Sequence, residues 1–345
     1  MKKNKILLAV WFFVLLFFNE VCGDYNGYLN EFFKNPKEPL IVTTLHGGLS
    51  QSQNYKIIAD GKSYVLRIFD EATALDERQQ EINSAVCAGQ QGIGPRIVYI
   101  DDYFRAMIMD FVEGQTLTRS VLEDKNILRI FLQSLRQLHF TANHFPTGLT
   151  VFDKIRLKIE KINQNGIAAP VNSINNALMK LGEIEKILRQ YPLVFCHNDL
   201  NALNIIVNGK TVKFIDWTES GMDSPYSDLG FFVLVNLIEE ERYNEVLESY
   251  FGYISSAQEM YLLKLMRKVS TLRIFASFFS DHEPAILDTN QRIQRSLELE
   301  KFLSNDCLLP LNYFIDLHIK GQLTDQKMVI MASLSALREF LQDDL

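Results

Sequence analysis

Residues 193–230 read LVFCHNDLNALNIIVNGKTVKFIDWTESGMDSPYSDLG and carry the strongest indications of both fold and chemistry. A short apolar stretch, Leu193–Cys196, is typical of a buried strand and runs into the polar tripeptide His197 to Asp199. Asn204 follows five residues after Asp199. Loops that a rigid element positions often carry functional side chains, so we expect a site at the end of this strand.

A hairpin is predicted next, around Asn208-Gly209, a dipeptide typical of two-residue turns. Its strands would be Ile205–Val207 and Thr211–Ile215. With that dipeptide as the turn, Asn204 faces Lys213, and Asn204 and Asp216 both lie at the open end of the hairpin, near Asp199. An amide oxygen beside two carboxylates suits a hard cation such as Mg²⁺, which in proteins commonly shares its ligands with phosphate groups.

Each of these residues alone has a simpler interpretation, because Asp and Asn are common in turns. The ordered combination is more specific: His-x-Asp, an Asn five residues later, a hairpin, and an apolar pair ending in Asp. It favours a functional site. A metal-dependent hydrolase would be an alternative use of such a cluster.

Before this stretch, apolar and polar residues alternate along the chain in the pattern typical of β-strands. Asn54–Ala59 and Lys62–Phe69 flank Asp60-Gly61, which predicts a type I′ hairpin. A helix is predicted over Asp76–Gly89, and further strands over Pro95–Ile100 and Ala106–Val112. These elements make a small antiparallel sheet with one helix.

From about residue 120, the apolar period becomes helical. One stripe repeats at helical spacing along a single segment, namely Ile127, Ile130, Phe131, Ser134, Leu135 and Leu138. Residues 113–115 separate the two patterns and are the expected hinge. The predicted fold is therefore α+β with two lobes, a smaller lobe over 24–113 that contains the antiparallel sheet and a larger, mostly helical lobe over 114–345.

The N-terminal segment 1–23 has the layout of a secretory signal, with three lysines before the short apolar run Ile6–Phe18. A lipoprotein signal ending at Cys22 fits less well, and a misassigned start codon is a third possibility. The run is short for a membrane span, and none is expected after removal of this segment. The other cysteines, Cys87, Cys196 and Cys307, form no disulfide or zinc pattern and favour a reducing compartment, so the expected localisation stays open.

The net charge of −7 is spread along the chain without a basic tract, which argues against a nucleic-acid partner. Three motifs instead resemble those of the aminoglycoside phosphotransferase and choline kinase superfamily, especially its LicA-like choline kinases and thiamine kinases. They are the HxDLxxxN motif from His197 to Asn204, Phe214-Ile215-Asp216-Trp217, and Pro225-x-x-Asp228-Leu229-Gly230. The resemblance covers roughly residues 40–290. It implies a protein-kinase-like fold and an ATP- and Mg²⁺-dependent transfer of the γ-phosphate to a small-molecule alcohol. In such a fold the lobe over 24–113 would bind the nucleotide, and the lobe over 114–345 would be catalytic and bind the acceptor.

The resemblance also implies roles for the motif residues. Asp199 would be the catalytic base, and Asn204 and Asp216 would hold Mg²⁺ against the nucleotide phosphates. His197 would brace the loop, although a histidine here is also a candidate base. Asp228 would fix the catalytic loop through hydrogen bonds. His139, in a Leu-His pair at the end of a predicted helix, is expected to have a packing role.

In the N-terminal lobe, the resemblance implies a set of nucleotide-binding residues. A glycine-rich loop approaches the phosphates, Arg67 binds them, Glu81 holds Arg67, and the backbone of Met107–Phe111 reads adenine. The residues assigned to the nucleotide are Gly47, Gly48, Ser50, Ser52, Arg67, Glu81, Asp110 and Phe111. A hydrolase would not need this set.

The acceptor is less well defined. A choline-, ethanolamine- or thiamine-like alcohol is expected, and the alternatives are an aminoglycoside or sugar, or a non-catalytic pseudokinase that binds a protein partner. Thr218-Glu219 departs from the Glu-Tyr of choline-type members, and a quaternary ammonium group needs aromatic faces. The aromatic candidates are Trp217, Tyr261, Phe275, Phe278 and Phe279, for most of which a place in the core is the simpler expectation. Protein kinase activity is a weaker alternative because no DFG or APE element appears.

Overall fold

The computed structural model describes residues 25–45, 52–141, 148–305 and 308–342. The signal-like segment 1–23 and the predicted phosphate-binding residues Gly47, Gly48 and Ser50 lie outside these ranges. None of the helices in the described ranges has the length and apolar character needed to cross a membrane. Cys87 and Cys196, the cysteines in these ranges, form no disulfide with each other.

The first part of the chain forms a five-stranded antiparallel sheet. Its strands are Ile41–Leu45 (β1), Gln53–Ala59 (β2), Lys62–Ile68 (β3), Ile97–Ile100 (β4) and Ala106–Asp110 (β5). They are ordered β1-β2-β3-β5-β4. Asp60 and Gly61 join β2 to β3 with φ values of 48° and 75°, and these two positive angles confirm the type I′ turn.

One helix, Leu75–Gln90 (α2), packs against this sheet with Ile82, Ala85 and Ala88 buried in the main hydrophobic core. The predicted helix is confirmed and is one residue longer at each end. At Gly89 a β-carbon would lie 2.5 Å from the carbonyl oxygen of Pro95. The glycine therefore lets the chain return towards β4 in close contact with the helix.

A second helix, Tyr25–Phe32 (α1), was not anticipated from the sequence. It buries Leu29 against an apolar cluster formed by the strands, and Phe32 packs edge-on against Tyr64 with ring centroids 6.0 Å apart. The Tyr99 hydroxyl donates to Glu31 at 2.7 Å. The apolar spacing of Tyr25, Tyr28, Leu29, Phe32 and Phe33 is helical, so the signal for α1 is present in the sequence.

Helices dominate the rest of the chain. They are Arg119–Leu122 (α3), Lys125–Thr141 (α4), Val151–Gln164 (α5), Val171–Leu188 (α6), Pro225–Val235 (α7), Tyr243–Phe251 (α8), Ala257–His282 (α9), Thr289–Leu303 (α10), Leu311–Ile319 (α11) and Gln326–Gln342 (α12). The longest, α9, packs against α5, α7 and α12 and forms the centre of this lobe. At Gly230 of α7 a β-carbon would lie 2.5 Å from the amide nitrogen of Arg267, so glycine permits the close crossing of α7 and α9.

Short strands interrupt the helices and carry the motif residues. They are Gln115–Thr116 (β6), Val194–Cys196 (β7), Ile205–Asn208 (β8), Thr211–Phe214 (β9) and Gly221–Asp223 (β10). β6, β8 and β9 form one sheet, and β7 pairs with β10. The chain thus leaves the five-stranded sheet at Asp110 and joins the second sheet at Gln115, across the expected hinge. The α+β, two-lobed fold expected from the sequence is confirmed.

Candidate active site

Asp228, in the first turn of α7, holds the polar tripeptide after β7 in place. The Asp228 carboxylate is fully buried and accepts the backbone N–H of His197 at 2.9 Å and that of Asn198 at 2.6 Å. Asn198 has a φ of 60°, an uncommon conformation for a residue other than glycine. These bonds hold the backbone turn that directly precedes Asp199.

His139, from α4, extends this support. Its Nε2 lies 2.9 Å from Asp228 Oδ2, and its Nδ1 lies 2.5 Å from the hydroxyl of Tyr250. Burial by itself would raise the pKa of Asp228, but the hydrogen bond and charge of His139, with the backbone donors, hold that pKa below its ordinary value. Asp228 therefore stays an acceptor for the catalytic loop.

His197 is buried, and both of its ring nitrogens are occupied. Nε2 donates to the carbonyl oxygen of Ile215 at 2.9 Å, while Nδ1 accepts the N–H of Asp199 at 3.2 Å. This pattern requires the neutral tautomer with its proton on Nε2. No ring nitrogen is left for a reacting hydroxyl, and the geometry suits a brace between the loop and the hairpin better than a base.

Asp199 has one occupied and one open carboxylate oxygen. Oδ2 accepts from Asn204 Nδ2 at 2.7 Å and from Asn201 Nδ2 at 3.1 Å. Within the described ranges, no hydrogen bond occupies Oδ1. Burial raises the pKa of Asp199 above its ordinary value, and the charge of Arg273 opposes that rise. The open oxygen is the natural acceptor for the proton of a hydroxyl group.

In the hairpin that carries Asn204 and Asp216, the turn lies one residue later than expected, so each cross-strand pair is shifted by two residues. Gly209 and Lys210 form the turn, Asn208 pairs with Thr211, and Ile206 rather than Asn204 faces Lys213. Asn208 joins the strand because Thr211 Oγ1 donates to its carbonyl and its side chain donates to Glu113.

The two predicted metal ligands nevertheless meet at the open end of the hairpin. The carbonyl oxygen of Asn204 accepts the N–H of Ile215 at 3.0 Å, which places Asn204 beside the residue before Asp216. Because Asn204 uses its amide N–H groups on Asp199, its side-chain oxygen is left without a hydrogen bond among the described residues.

Asp216 adopts a left-handed backbone conformation, with a φ of 64°. Its Oδ1 accepts from the Thr218 hydroxyl at 2.7 Å and lies 3.9 Å from Arg67, whereas its Oδ2 has no partner among the described residues. The side chain is 32% exposed. Open oxygens on Asp216 and Asn204, next to Asp199, are the hard donors that Mg²⁺ prefers, so the residues present fit that ion.

Arg67 and Glu81 form a buried ion pair that faces this group. Arg67 Nε lies 2.7 Å from Glu81 Oε1, and the two residues are only 6% and 3% exposed. Burial opposes the charge on Arg67, but Glu81 and Asp216 hold its pKa above its ordinary value. The structure thus brings together the predicted cation and its predicted partner, on β3 and α2, next to Asp216.

The other predicted nucleotide contacts are only partly described. Ser52 directly precedes β2. The N–H groups of Asp110 and Phe111 donate to the carbonyl oxygens of Arg96 and Ser63, at 2.9 and 3.1 Å. The Asp110 carboxylate forms an ion pair with Arg96 at 3.0 Å on an exposed surface. These two N–H groups are committed within the sheet, so a bound base would have to use other backbone groups at this edge.

A second charged group, missed by the sequence analysis, lies close enough to Asp199 for its charges to act on that carboxylate. Glu219 Oε2 is 3.1 Å from Lys154 Nζ and 3.4 Å from an Arg273 nitrogen. Arg273 also donates to the carbonyl oxygen of Asn198 and covers the ring of Phe231 at 4.6 Å. Burial would raise the pKa of Glu219, but Lys154 and Arg273 lower it to about 2. Lys154 and Arg273 are distant in sequence from the motifs, so no local pattern could have found them.

Most of the aromatic candidates belong to the core. Trp217 is buried and packs against His197 with ring centres 4.7 Å apart, and Phe275 and Phe279 are fully buried. Phe278 is half-buried and lies 6.4 Å from the ring of His318, on α11. His318 also interacts with the charge of Asp199, which links Phe278 to the site.

Known proteins resemble this chain in sequence and in structure. The LicA protein of Haemophilus influenzae is 25% identical over 207 residues, which span 59% of this chain and 61% of that protein. A choline/ethanolamine kinase family protein of Mesorhizobium loti superposes with a TM-score of 0.61 at 19% identity, covering 91% of this chain and 98% of that one. A LicA structure in complex with AMP superposes with a TM-score of 0.57 at 19% identity, covering 79% and 96%.

These structural similarities establish the two-lobed kinase-like fold. The sequence match to the family described as "Phosphotransferase enzyme family" runs from residue 41 to residue 260, well over half of the chain. That span includes β1 to β10 and every motif residue discussed above. The chain therefore belongs to the phosphotransferase enzyme family.

Proposed function

We propose that this protein is a small-molecule kinase that transfers the γ-phosphate of ATP to the hydroxyl group of a choline-, ethanolamine- or thiamine-like alcohol. The observation that carries the proposal is the convergence of three open oxygens, on Asp199, Asn204 and Asp216. One of them is placed to accept a proton, and the other two are placed to hold a cation. Opposite them, the guanidinium of Arg67 is held by Glu81 at 2.7 Å.

Each residue has a part in this activity. Asn204 orients Asp199 by donating to Oδ2, which leaves Oδ1 to accept or orient the proton of the attacking hydroxyl. Asn204 and Asp216 would hold Mg²⁺, which when bound neutralises the charge of the transferred phosphate. Arg67 supplies a fixed positive charge for the other phosphates. His197, His139 and Asp228 hold the loop in position.

The charged group beside Asp199 favours a polar acceptor. Glu219 stays ionised because of Lys154 and Arg273, and the partly exposed ring of Phe278 lies beside His318, which interacts with the charge of Asp199. An ionised carboxylate can bind an ammonium group through hydrogen bonds, whereas a quaternary ammonium group relies on several aromatic faces. Within the proposed class, we therefore expect a primary amine such as ethanolamine to be a better acceptor than choline.

The test is ADP release by the full chain with Mg²⁺ and ATP, against a panel of ethanolamine, choline, thiamine, aminoglycosides and sugars. Turnover on one of the first three acceptors, lost in Asp199→Asn, is the expected result. Turnover only on an aminoglycoside or a sugar would show that the proposed class of acceptor is wrong, although the kinase activity itself would stand. Tight Mg²⁺-ATP binding without turnover on any acceptor would contradict the proposed activity and favour a pseudokinase.

A further inference from the structure

Thr218, the residue that follows the Phe-Ile-Asp-Trp motif, has no role in the proposed function, yet its hydroxyl lies between the two lobes. Oγ1 is 2.7 Å from Asp216 Oδ1 and 2.8 Å from Glu81 Oε2. An Arg67 nitrogen lies 3.5 Å from the same oxygen. The hydroxyl thus touches the proposed metal ligand, the glutamate on α2, and the arginine that this glutamate holds.

A hydroxyl group has a single proton, so Thr218 can donate to only one of the two carboxylates at a time. The oxygen of the other carboxylate then lies less than 3 Å from a lone pair of the Thr218 oxygen. The two oxygens repel each other unless a nearby positive group compensates for that repulsion. Arg67 provides part of that compensation for Glu81, with its Nε 2.7 Å from the other oxygen of the carboxylate. Asp216 is less well supplied, since its nearest Arg67 nitrogen is 3.9 Å away. Without a bound cation, Asp216 therefore gains more from the proton.

We propose that Thr218 is a positioning residue for the metal-binding carboxylate, with a hydroxyl that donates to Asp216 in the empty site and to Glu81 once a divalent cation binds Asp216. The inference rests on the proposed role of Asp216 as a metal ligand. No covalent bond is made or broken. The Thr218 O–H group only rotates, so that its hydrogen bond moves from Asp216 to Glu81. The consequence is that metal binding by the second lobe is linked to the position of α2 in the first.

The backbone at Asp216 makes this contact important. A left-handed φ of 64° is uncommon for aspartate and persists only where surrounding contacts support it. The Thr218 hydroxyl is the closest partner recorded for the Asp216 carboxylate among the described residues. Replacing threonine with valine keeps the shape but removes the proton, and leaves carboxylate oxygens of Asp216 and Glu81 against a methyl group.

The test measures metal binding directly. Mn²⁺ takes the same oxygen ligands as Mg²⁺, and its free concentration can be followed by electron paramagnetic resonance in the presence of ADP. Because Thr218 makes one hydrogen bond both with and without the cation, Thr218→Val acts on binding through the position of Asp216. Without the hydroxyl, the left-handed conformation of Asp216 is less populated, and for this variant of the full chain we expect the affinity for Mn²⁺ with ADP to fall about tenfold. Thr218→Ser, which keeps the hydroxyl, should restore it to within about twofold.

Thr211→Val is the matched control, because Thr211 is exposed at the turn end of the β8–β9 hairpin and its hydroxyl bonds only a local carbonyl. It should bind Mn²⁺ like the wild type. Thr218→Val with wild-type Mn²⁺ affinity and wild-type turnover would overturn the proposal and leave the kinase function intact. A wild-type protein that binds no Mn²⁺ with ADP would instead refute the metal role of Asp216, and this inference with it. Thermal unfolding of each variant separates a local effect from misfolding.

Discussion

His139 Nε2 lies 2.9 Å from Asp228 Oδ2, the same oxygen that accepts the N–H of His197. This carboxylate therefore ties α4 to the catalytic loop through the first turns of α7. The arrangement explains why a histidine at the end of one helix and an aspartate near the start of another belong to a single unit. The histidine supports the loop without touching any group that would react.

Asp228→Asn should destabilise the protein strongly. The carboxylate is fully buried and accepts three hydrogen bonds, and asparagine would place an N–H group against at least one of these donors. The expected loss in unfolding free energy is about 3–5 kcal/mol, as for a broken buried charged pair. Urea denaturation measures it. Tyr250→Phe, which removes only the outer partner of His139, should cost about 1 kcal/mol. Equal losses in the two variants would contradict this ranking.

Asp199→Asn should lower turnover by about 10²–10⁴-fold, the usual contribution of a positioned acid–base group. The substitution preserves the size of the side chain but removes the proton acceptor. Because Asp199 is not among the proposed phosphate contacts, the affinity for ATP should change by less than about threefold. Single-turnover kinetics and calorimetry separate the two quantities. A variant that keeps more than a tenth of its turnover would exclude Asp199 as the base.

The acid limb of the pH profile should report the pKa of Asp199. Burial raises that pKa above its ordinary value, so the rate falls as the pH drops through the raised value and the carboxylate becomes protonated. Arg273 lowers the pKa, and its removal must therefore raise it further. In Arg273→Met we expect the acid limb of kcat/KM to move to higher pH, and in Arg273→Lys to move less. An unchanged limb in both variants would show that another group sets it.

The sequence predicted most of what depends on local patterns. The Asp60-Gly61 turn follows from the backbone angles that this dipeptide favours, and α2 follows from helical spacing. The placement of Asn204 and Asp216 at one end of a hairpin needed only a tight turn between two strands. This placement is unaffected by a turn that lies one residue later than expected, because a two-residue shift in the cross-strand pairs keeps Asn204 and Asp216 at the same end of the hairpin.

Contacts between distant segments could not be predicted in this way. Nothing near Glu219 in the sequence indicates that Lys154 and Arg273 would pair with it, since the packing of α5 and α9 brings them together. The link from Thr218 to Glu81 joins residues 137 positions apart. Helix α1 has a helical apolar pattern in the sequence, although it directly follows the signal-like segment.

Substitutions in the buried pair of Arg67 and Glu81 should affect the stability of the protein and its affinity for ATP in different ways. Removing one partner leaves the other buried without its counter-charge, so Arg67→Met and Glu81→Gln should each cost about 3–5 kcal/mol in unfolding free energy. The double variant should lose clearly less than the sum of the two, because it leaves no unpaired charge. Urea denaturation of the four proteins gives the coupling.

Affinity for ATP should not follow the same pattern. Arg67 supplies the charge that the proposal places against the phosphates, so the KM for ATP should rise about tenfold or more in Arg67→Met and in the double variant alike. In Glu81→Gln the charge remains but its position is less fixed, and a smaller rise is expected. A double variant that regained both stability and wild-type KM would show that Arg67 serves only the fold, because a phosphate contact cannot be restored by removing the glutamate that holds it.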